Sequence, residues 1–135
     1  EGATAPLSVK EIARLQAMKT GALLKFSVEA GSRLAGAGAK TSAALGTYGR
    51  AVGAAFQVAD DILDAEGDAA TLGKRAQKDA GRNKATLVGA LGVEGARREL
   101  ARLVDEATSA VDAASLGAAG DVLRATARFV AARKK

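Results

Sequence analysis

The chain has no cysteine and no histidine. Without cysteine there is no disulfide and no thiolate site for zinc. Without histidine there is no imidazole acid–base pair and no Ser-His-Asp chemistry within the chain. Tryptophan is also missing, and aromatic residues make up only 3% of the sequence. Basic residues are not interleaved with aromatics, which argues against a nucleic-acid surface. No apolar run reaches the roughly 20 residues of a membrane span, and no signal-peptide pattern is present. A cytoplasmic location is the default expectation. A single proline among 135 residues leaves long periodic segments unbroken. With 48% hydrophobic residues, many of them alanine, this composition favours closely packed helices over sheet. The expected fold class is all-α, in one domain.

The charge balance is basic, with 20 Lys and Arg against 15 Asp and Glu, a formal net charge of +5. Such a balance suits an anionic substrate, an acidic membrane surface or nucleic acid. The terminal Arg133-Lys134-Lys135 run, with Arg128, reads as an ordinary basic helix end, favourable at the negative pole of the helix dipole.

Against that background one acidic stretch stands out: Phe56 to Asp68, FQVADDILDAEGD. At about 100° per residue, Gln57, Asp60, Asp61 and Asp64 fall on one stripe of a helix. Phe56, Ala59, Ile62 and Leu63 lie to its sides and behind. Like charges one turn apart repel by roughly 0.2–0.5 kcal/mol per pair, so something positive should stand near them. Oxygen ligands on one helix face suit a hard cation, Mg²⁺ first. The alternative is a solvated acidic face that holds no metal.

Taken in order, residues 1–7 form a polar lead expected to be flexible. Ser8 and Glu11 have the spacing of a capping box, and a long helix should run from there to about Leu34. Ile12, Leu15, Leu23, Phe26 and Ala30 form its apolar stripe, with Lys19 in the middle. A lysine there either snorkels its head to water or meets an anion. After a turn at 36–39, a second helix should start near Thr41 or Ser42 and reach about Asp64. Its Gly46, Gly49 and Gly53 give a smooth surface for close helix crossing. Residues 66–84 read as a charged loop, either an ordinary solvated loop or one that orders over the acidic face when ligand binds. A short helix to Leu91 should stop at Gly92. A helix from Val93 to about Ala114 should turn Ala96, Leu100, Leu103, Val104, Ala107 and Val111 inward. A last helix should begin at Asp121 as N-cap, with Val122, Leu123, Ala127 and Val130 on its packing face.

The whole string FQVxDDILDxxGDxxTLGK resembles the second aspartate-rich region of trans-isoprenyl diphosphate synthases, of the bacterial farnesyl or geranylgeranyl diphosphate synthase kind. Lys19-Thr20-Gly21 is similar to the Lys-Thr element of the same family. The resemblance covers nearly all of this chain but only the C-terminal half of such an enzyme. It implies an isoprenoid-synthase-type helical bundle, represented here over residues 8–135. It implies Mg²⁺-dependent head-to-tail condensation of an allylic diphosphate with isopentenyl diphosphate. By the same resemblance Asp60, Asp61 and Asp64 are the metal ligands, Asp60 first. Lys19, Thr20, Gln57, Lys74 and Lys84 would hold the diphosphate, with Asp79 near the same metal and phosphates. No residue is assigned as acid or base; released pyrophosphate is a candidate base.

Two positions depart from the family pattern. Lys84 is followed by Ala85-Thr86 where relatives have an aromatic and a proline, and Ala59 stands where many have glutamine. The family's first aspartate-rich motif and its basic isopentenyl diphosphate cluster are absent from this sequence. The chain is therefore expected to be the C-terminal portion of a synthase or one half of a two-chain assembly, inactive alone, with a homodimer expected by resemblance only. The competing reading is a non-catalytic helical partner subunit of such a synthase. Product length is not legible here.

Overall fold

The computed structural model describes residues 7–72 and 86–133; at 16, 17, 19 and 68–72 it describes the backbone alone. All its elements are helical: α1 (Val9–Gln16), a π-turn (Ala17–Gly21), α2 (Ala22–Leu34), α3 (Ala39–Leu72), α4 (Leu87–Ala114) and α5 (Ala118–Ala132). The expected lead at 1–7 therefore lies almost wholly outside the described residues, as does the expected loop beyond Leu72.

The start of α1 forms as its sequence dictates. The Ser8 N–H donates to Glu11 Oε2 at 2.8 Å, the Ser8 hydroxyl to the same oxygen at 2.7 Å, and the Glu11 N–H back to Ser8 Oγ at 3.4 Å. These bonds satisfy donors that a helix start leaves unpaired. The Ser8 hydroxyl and then its backbone N–H hold the Glu11 carboxyl below the ordinary glutamate range.

Between α1 and α2 the helix runs on, but through a π-turn that adds one residue to the α pitch. One extra residue rotates everything downstream by about 100°. The stripe expected from strict periodicity is therefore split. Ile12 is buried at 3% exposure, while Leu23 and Phe26, beyond the turn, are exposed at 65% and 66%; Leu15, before it, is exposed as well, which the rotation does not explain. Downstream, the face that meets the protein is instead Gly21, Leu24, Val28 and Ser32.

The end of α2 is a Schellman motif. Gly36 N–H bonds the Arg33 carbonyl and Ala37 N–H bonds the Ser32 carbonyl, each at 3.0 Å, with Gly36 at φ +64°. The chain reverses there, and α3 returns antiparallel along α2. It begins at Ala39, two residues before the expected start, and continues without a break to Leu72. The Gly67-Asp68 pair does not stop it, so the helix carries the acidic stretch well inside its length.

α3 is the centre of the fold and packs on the π-turn, α2, α4 and α5. Tyr48, Ala51, Val52, Ala55, Val58, Ala59 and Ile62 enter the core from α3. From α4, Ala96, Leu100, Leu103, Ala107 and Val111 meet them, and Val104 is partly buried. That is the inward face expected from the sequence. Gly92, at φ 70° and ψ 168°, bends α4 where the sequence places a stop. Thr86 caps the start, its hydroxyl accepting the Gly89 N–H at 3.0 Å.

The beginning of α5 differs from expectation. Gly117 turns the chain at φ 56°, so Ala118 already starts the helix and Asp121 lies in its first turn. Asp121 pairs there with Arg124 at 2.6 Å instead of capping. Ala127 and Val130 are buried and Leu123 is partly buried, whereas Val122 is 66% exposed. Val122 stands about 100° from Leu123 on the helix and falls on the outer side.

Charged pairs tie α3 to α4 on their outer sides. Glu106 accepts from Arg50 at 2.6 Å and from Arg102 at 2.9 Å, and Arg102 also binds Glu99 at 2.7 Å. Burial raises the Glu106 carboxyl, but the hydrogen bonds from Arg102 and Arg50 outweigh it and leave it lowered. Glu66 pairs with Arg97 further along. Buried between α3 and α5, the Tyr48 hydroxyl donates to the Leu123 carbonyl at 2.9 Å; burial pushes this phenol up. Tyr48→Phe should lower unfolding free energy by about 1 kcal/mol in urea titrations with an unchanged slope. A loss below about 0.3 kcal/mol would mean the bond contributes nothing net.

Candidate functional site

Three glycines of α3 govern how closely the helix bearing Lys19 and Thr20 can approach. A Cβ at Gly46 would meet Glu29 Oε1 at 3.3 Å; one at Gly49 would meet the Lys25 Cα at 3.0 Å; one at Gly53 would meet the Gly21 Cα at 2.7 Å. The pairs 46/29, 49/25 and 53/21 fix an antiparallel register. Each further turn along α3 matches a turn back along the partner. Gln57, one turn beyond Gly53, therefore comes level with the π-turn, and Asp60 lies about a turn beyond that.

Lys19 and Thr20 both belong to the π-turn by their backbone, and Thr20 is half-buried. π-turns inside α-helices recur at functional sites. Gln57 is half-buried, Asp60 and Asp64 are exposed, and Asp61 is intermediate. The apolar rear of this stretch, Val58, Ala59 and Ile62, is in the core. Burial on one side therefore fixes which way the acids look.

The acids differ in their surroundings. Asp61 turns toward α4, where its Oδ2 accepts the Leu87 N–H at 3.4 Å. Leu87 is the first residue of α4, so this carboxylate helps satisfy an otherwise unpaired helix-start donor. Asp60 meets Arg133: Nη2 lies 3.2 Å from Asp60 Oδ1. The same guanidinium sits over the Phe56 ring, 4.3 Å from its centre. Phe56 and Asp60 are one turn apart on α3, so one arginine spans both. Its side chain is 23% exposed, against 55% for Asp60.

Arg133 is the site residue that the sequence reading missed. Its basic run reads as a helix end. The usable signal was the demand for positive charge near the acids. What the sequence could not supply was the path of α5, which brings its end back to the middle of α3.

Asp60 and Asp64, four residues apart, share a helix face. Among the described residues no group of three or more His, Cys, Asp or Glu gathers that could hold a metal. Two carboxylates on one helix face are the number that a hard cation such as Mg²⁺ would take from a protein, filling the rest of its shell with water and phosphate oxygens. They do not fit a cation that needs an all-protein cage. Lys74, Asp79 and Lys84 lie outside the described residues. No helix among the described residues is long and apolar enough to cross a membrane.

Comparison with known proteins bears on this arrangement. The family model for polyprenyl synthetases matches residues 2–118. Farnesyl diphosphate synthase of Escherichia coli is 44% identical over 108 residues, covering 79% of this chain and 36% of the relative. Geranylfarnesyl diphosphate synthase of Aeropyrum pernix is 35% identical over 136 residues, covering 96% and 43%. Among solved structures, an apo FPP/GFPP synthase from Zymomonas mobilis superposes with a TM-score of 0.75 at 35% identity, covering 95% of this chain and 40% of that one. The chain thus spans about two fifths of the length of these relatives, somewhat less than the half expected from the motifs.

A cation held at Asp60 would compete with Arg133 for the same carboxylate. Arg133→Ala should tighten the binding of Mn²⁺, followed by loss of its free-ion EPR signal, by about two- to fivefold. Unchanged or weaker binding would show that the guanidinium does not compete there.

Proposed function

The chain belongs to the polyprenyl synthetase family, and from that premise we propose that it is the diphosphate-binding portion of a prenyl diphosphate synthase. The reaction proposed is head-to-tail condensation of an allylic diphosphate with isopentenyl diphosphate, giving a short-chain prenyl diphosphate. The observation that supports it most is a juxtaposition: the π-turn with Thr20 packs on α3 at Gly53, one turn from Gln57 and about two turns from Asp60 on the same helix face.

The chemistry asks for charge stabilisation. Heterolysis of the allylic C–O bond leaves an allylic cation and pyrophosphate. The alkene of isopentenyl diphosphate attacks the cation, and loss of a proton restores a neutral alkene. Ionisation is fast only where the charge growing on the leaving oxygens meets donors fixed in advance. Thr20 offers a hydroxyl and Gln57 an amide N–H₂ from two different helices, both able to donate to phosphate oxygens. Asp60 and Asp64 offer the opposite sign. Bound Mg²⁺ would supply Lewis-acid neutralisation of the leaving pyrophosphate. Asp60, Asp61 and Asp64 would hold it, Asp61 also accepting the Leu87 N–H at the start of α4.

Lys19 belongs to this set by its place on the π-turn, Lys74 and Lys84 by family motif, and Asp79 as a further acid beside them. Asp60 keeps Arg133 as counter-charge when no cation is bound. A cytoplasmic setting and a homodimer remain part of the same proposal, carried by the family resemblance.

Isothermal titration with sodium pyrophosphate, with and without MgCl₂, tests the site directly. Binding should require Mg²⁺, and Asp60→Ala should weaken it about tenfold, equivalent to about 1.4 kcal/mol. Equal affinity with and without the metal would overturn the proposal. A separate expectation concerns turnover. With one acidic stripe and two fifths of its relatives' length, the chain by itself should not convert geranyl and isopentenyl diphosphates in the presence of Mg²⁺. Steady product formation by the purified chain would refute this.

A further inference from the structure

The closest backbone approach that the glycines of α3 permit is at Gly53. A Cβ there would lie 2.7 Å from the Gly21 Cα, 3.0 Å from its carbonyl oxygen and 3.2 Å from its carbonyl carbon. All three neighbours are main chain, so no side-chain rotation can relieve the clash. Gly46 is different: its added Cβ would meet only the tip of Glu29. Gly49 is intermediate, with the Lys25 Cα at 3.0 Å. Close packing of two helices could be concentrated at any of these levels. It is concentrated at the residue that ends the π-turn and follows Thr20 directly.

We infer that Gly53 is a positioning residue for the diphosphate site, acting through the π-turn to set the gap between Thr20 and the Gln57–Asp60 face of α3. This rests on the reading of the site as a diphosphate site. A methyl group at 53 must drive the π-turn back from 2.7 Å until it reaches ordinary contact, 3.4 Å or more. An anion held from both helices at once then loses hydrogen bonds on one side, because these fail within a few tenths of an ångström beyond about 3.2 Å. A cation held by Asp60 and Asp64 is insensitive to the gap, since both acids stand on α3.

Gly53→Ala should weaken pyrophosphate binding in the presence of Mn²⁺ at least tenfold, while the affinity for Mn²⁺ alone stays within twofold. Gly49→Ala crowds the Lys25 backbone, away from Thr20, and should leave both affinities within twofold. That divergence separates positioning from a general loosening of the fold. The inference is overturned if Gly53→Ala binds pyrophosphate like the wild type, if Gly49→Ala loses as much, or if Mn²⁺ affinity falls in parallel. Should Gly53→Ala not fold, amide exchange of the wild type decides. Mn²⁺-pyrophosphate should slow exchange both at Thr20–Gly21 and at Gly53–Gln57, and protection on one helix only would overturn the inference. A wild-type chain that does not bind pyrophosphate at all overturns the diphosphate reading and this inference with it. Binding that Gly53→Ala leaves intact overturns this inference alone.

Discussion

Backbone-to-backbone contact between α3 and the π-turn is the constraint on which the site depends. A helix with ordinary side chains keeps its neighbour 8–10 Å away, axis to axis. Gly53 against Gly21 removes both side chains at one level and lets the two main chains touch. The approach places half-buried Thr20 beside α3 at the level of Gly53, about one turn before Gln57. The rest of the molecule steadies this pair. Val58, Ala59 and Ile62 anchor the rear of α3 in the core, and Tyr48 ties the same helix to α5.

Electrostatics then distinguishes three carboxylates that look equivalent in sequence. Asp61 helps complete the hydrogen bonding of the α4 start, a role that needs a negative oxygen and no metal. Asp60 is balanced by an arginine from the far end of the described chain, and that arginine is itself seated on Phe56. Exposed ion pairs contribute at most about 1 kcal/mol, and a cation over a ring adds a similar amount. The clasp is therefore weak, yet it gives Asp60 a counter-charge.

Much of the fold was legible because its signals are local. The Ser8–Glu11 box, the break at Gly92 and the inward face of α4 each follow from a few neighbouring residues, and each is found where expected. Two features were not legible. The π-turn leaves no signature in a periodicity counted at 3.6 residues, so Leu23 and Phe26 continue the stripe of Ile12 in the sequence although they face outward in the fold. The closure of Arg133 on Asp60 joins residues 73 positions apart, and its geometry depends on the path of α5, which starts at Ala118 and not at the Asp121 that local pattern suggests. Of the candidate site, the shared face of Gln57, Asp60 and Asp64 follows from helical spacing, whereas the arginine that pairs with Asp60 leaves no local signal.

The arrangement of charge also argues about what occupies the site. Two exposed carboxylates one turn apart, without a third ligand among the described residues, would bind a lone divalent ion poorly, since several of its positions would be left to water. On the same face of α3 Gln57 carries donors that a bare cation cannot use, and Thr20 carries another on the helix packed at Gly53. Acids alone would favour a cation, and donors alone would favour an anion. On the function proposed above, such a combination suits a ligand that brings both signs together. A diphosphate with its metal would offer oxygens to the donors and a cation to the acids, in place of the Arg133 that now pairs with Asp60.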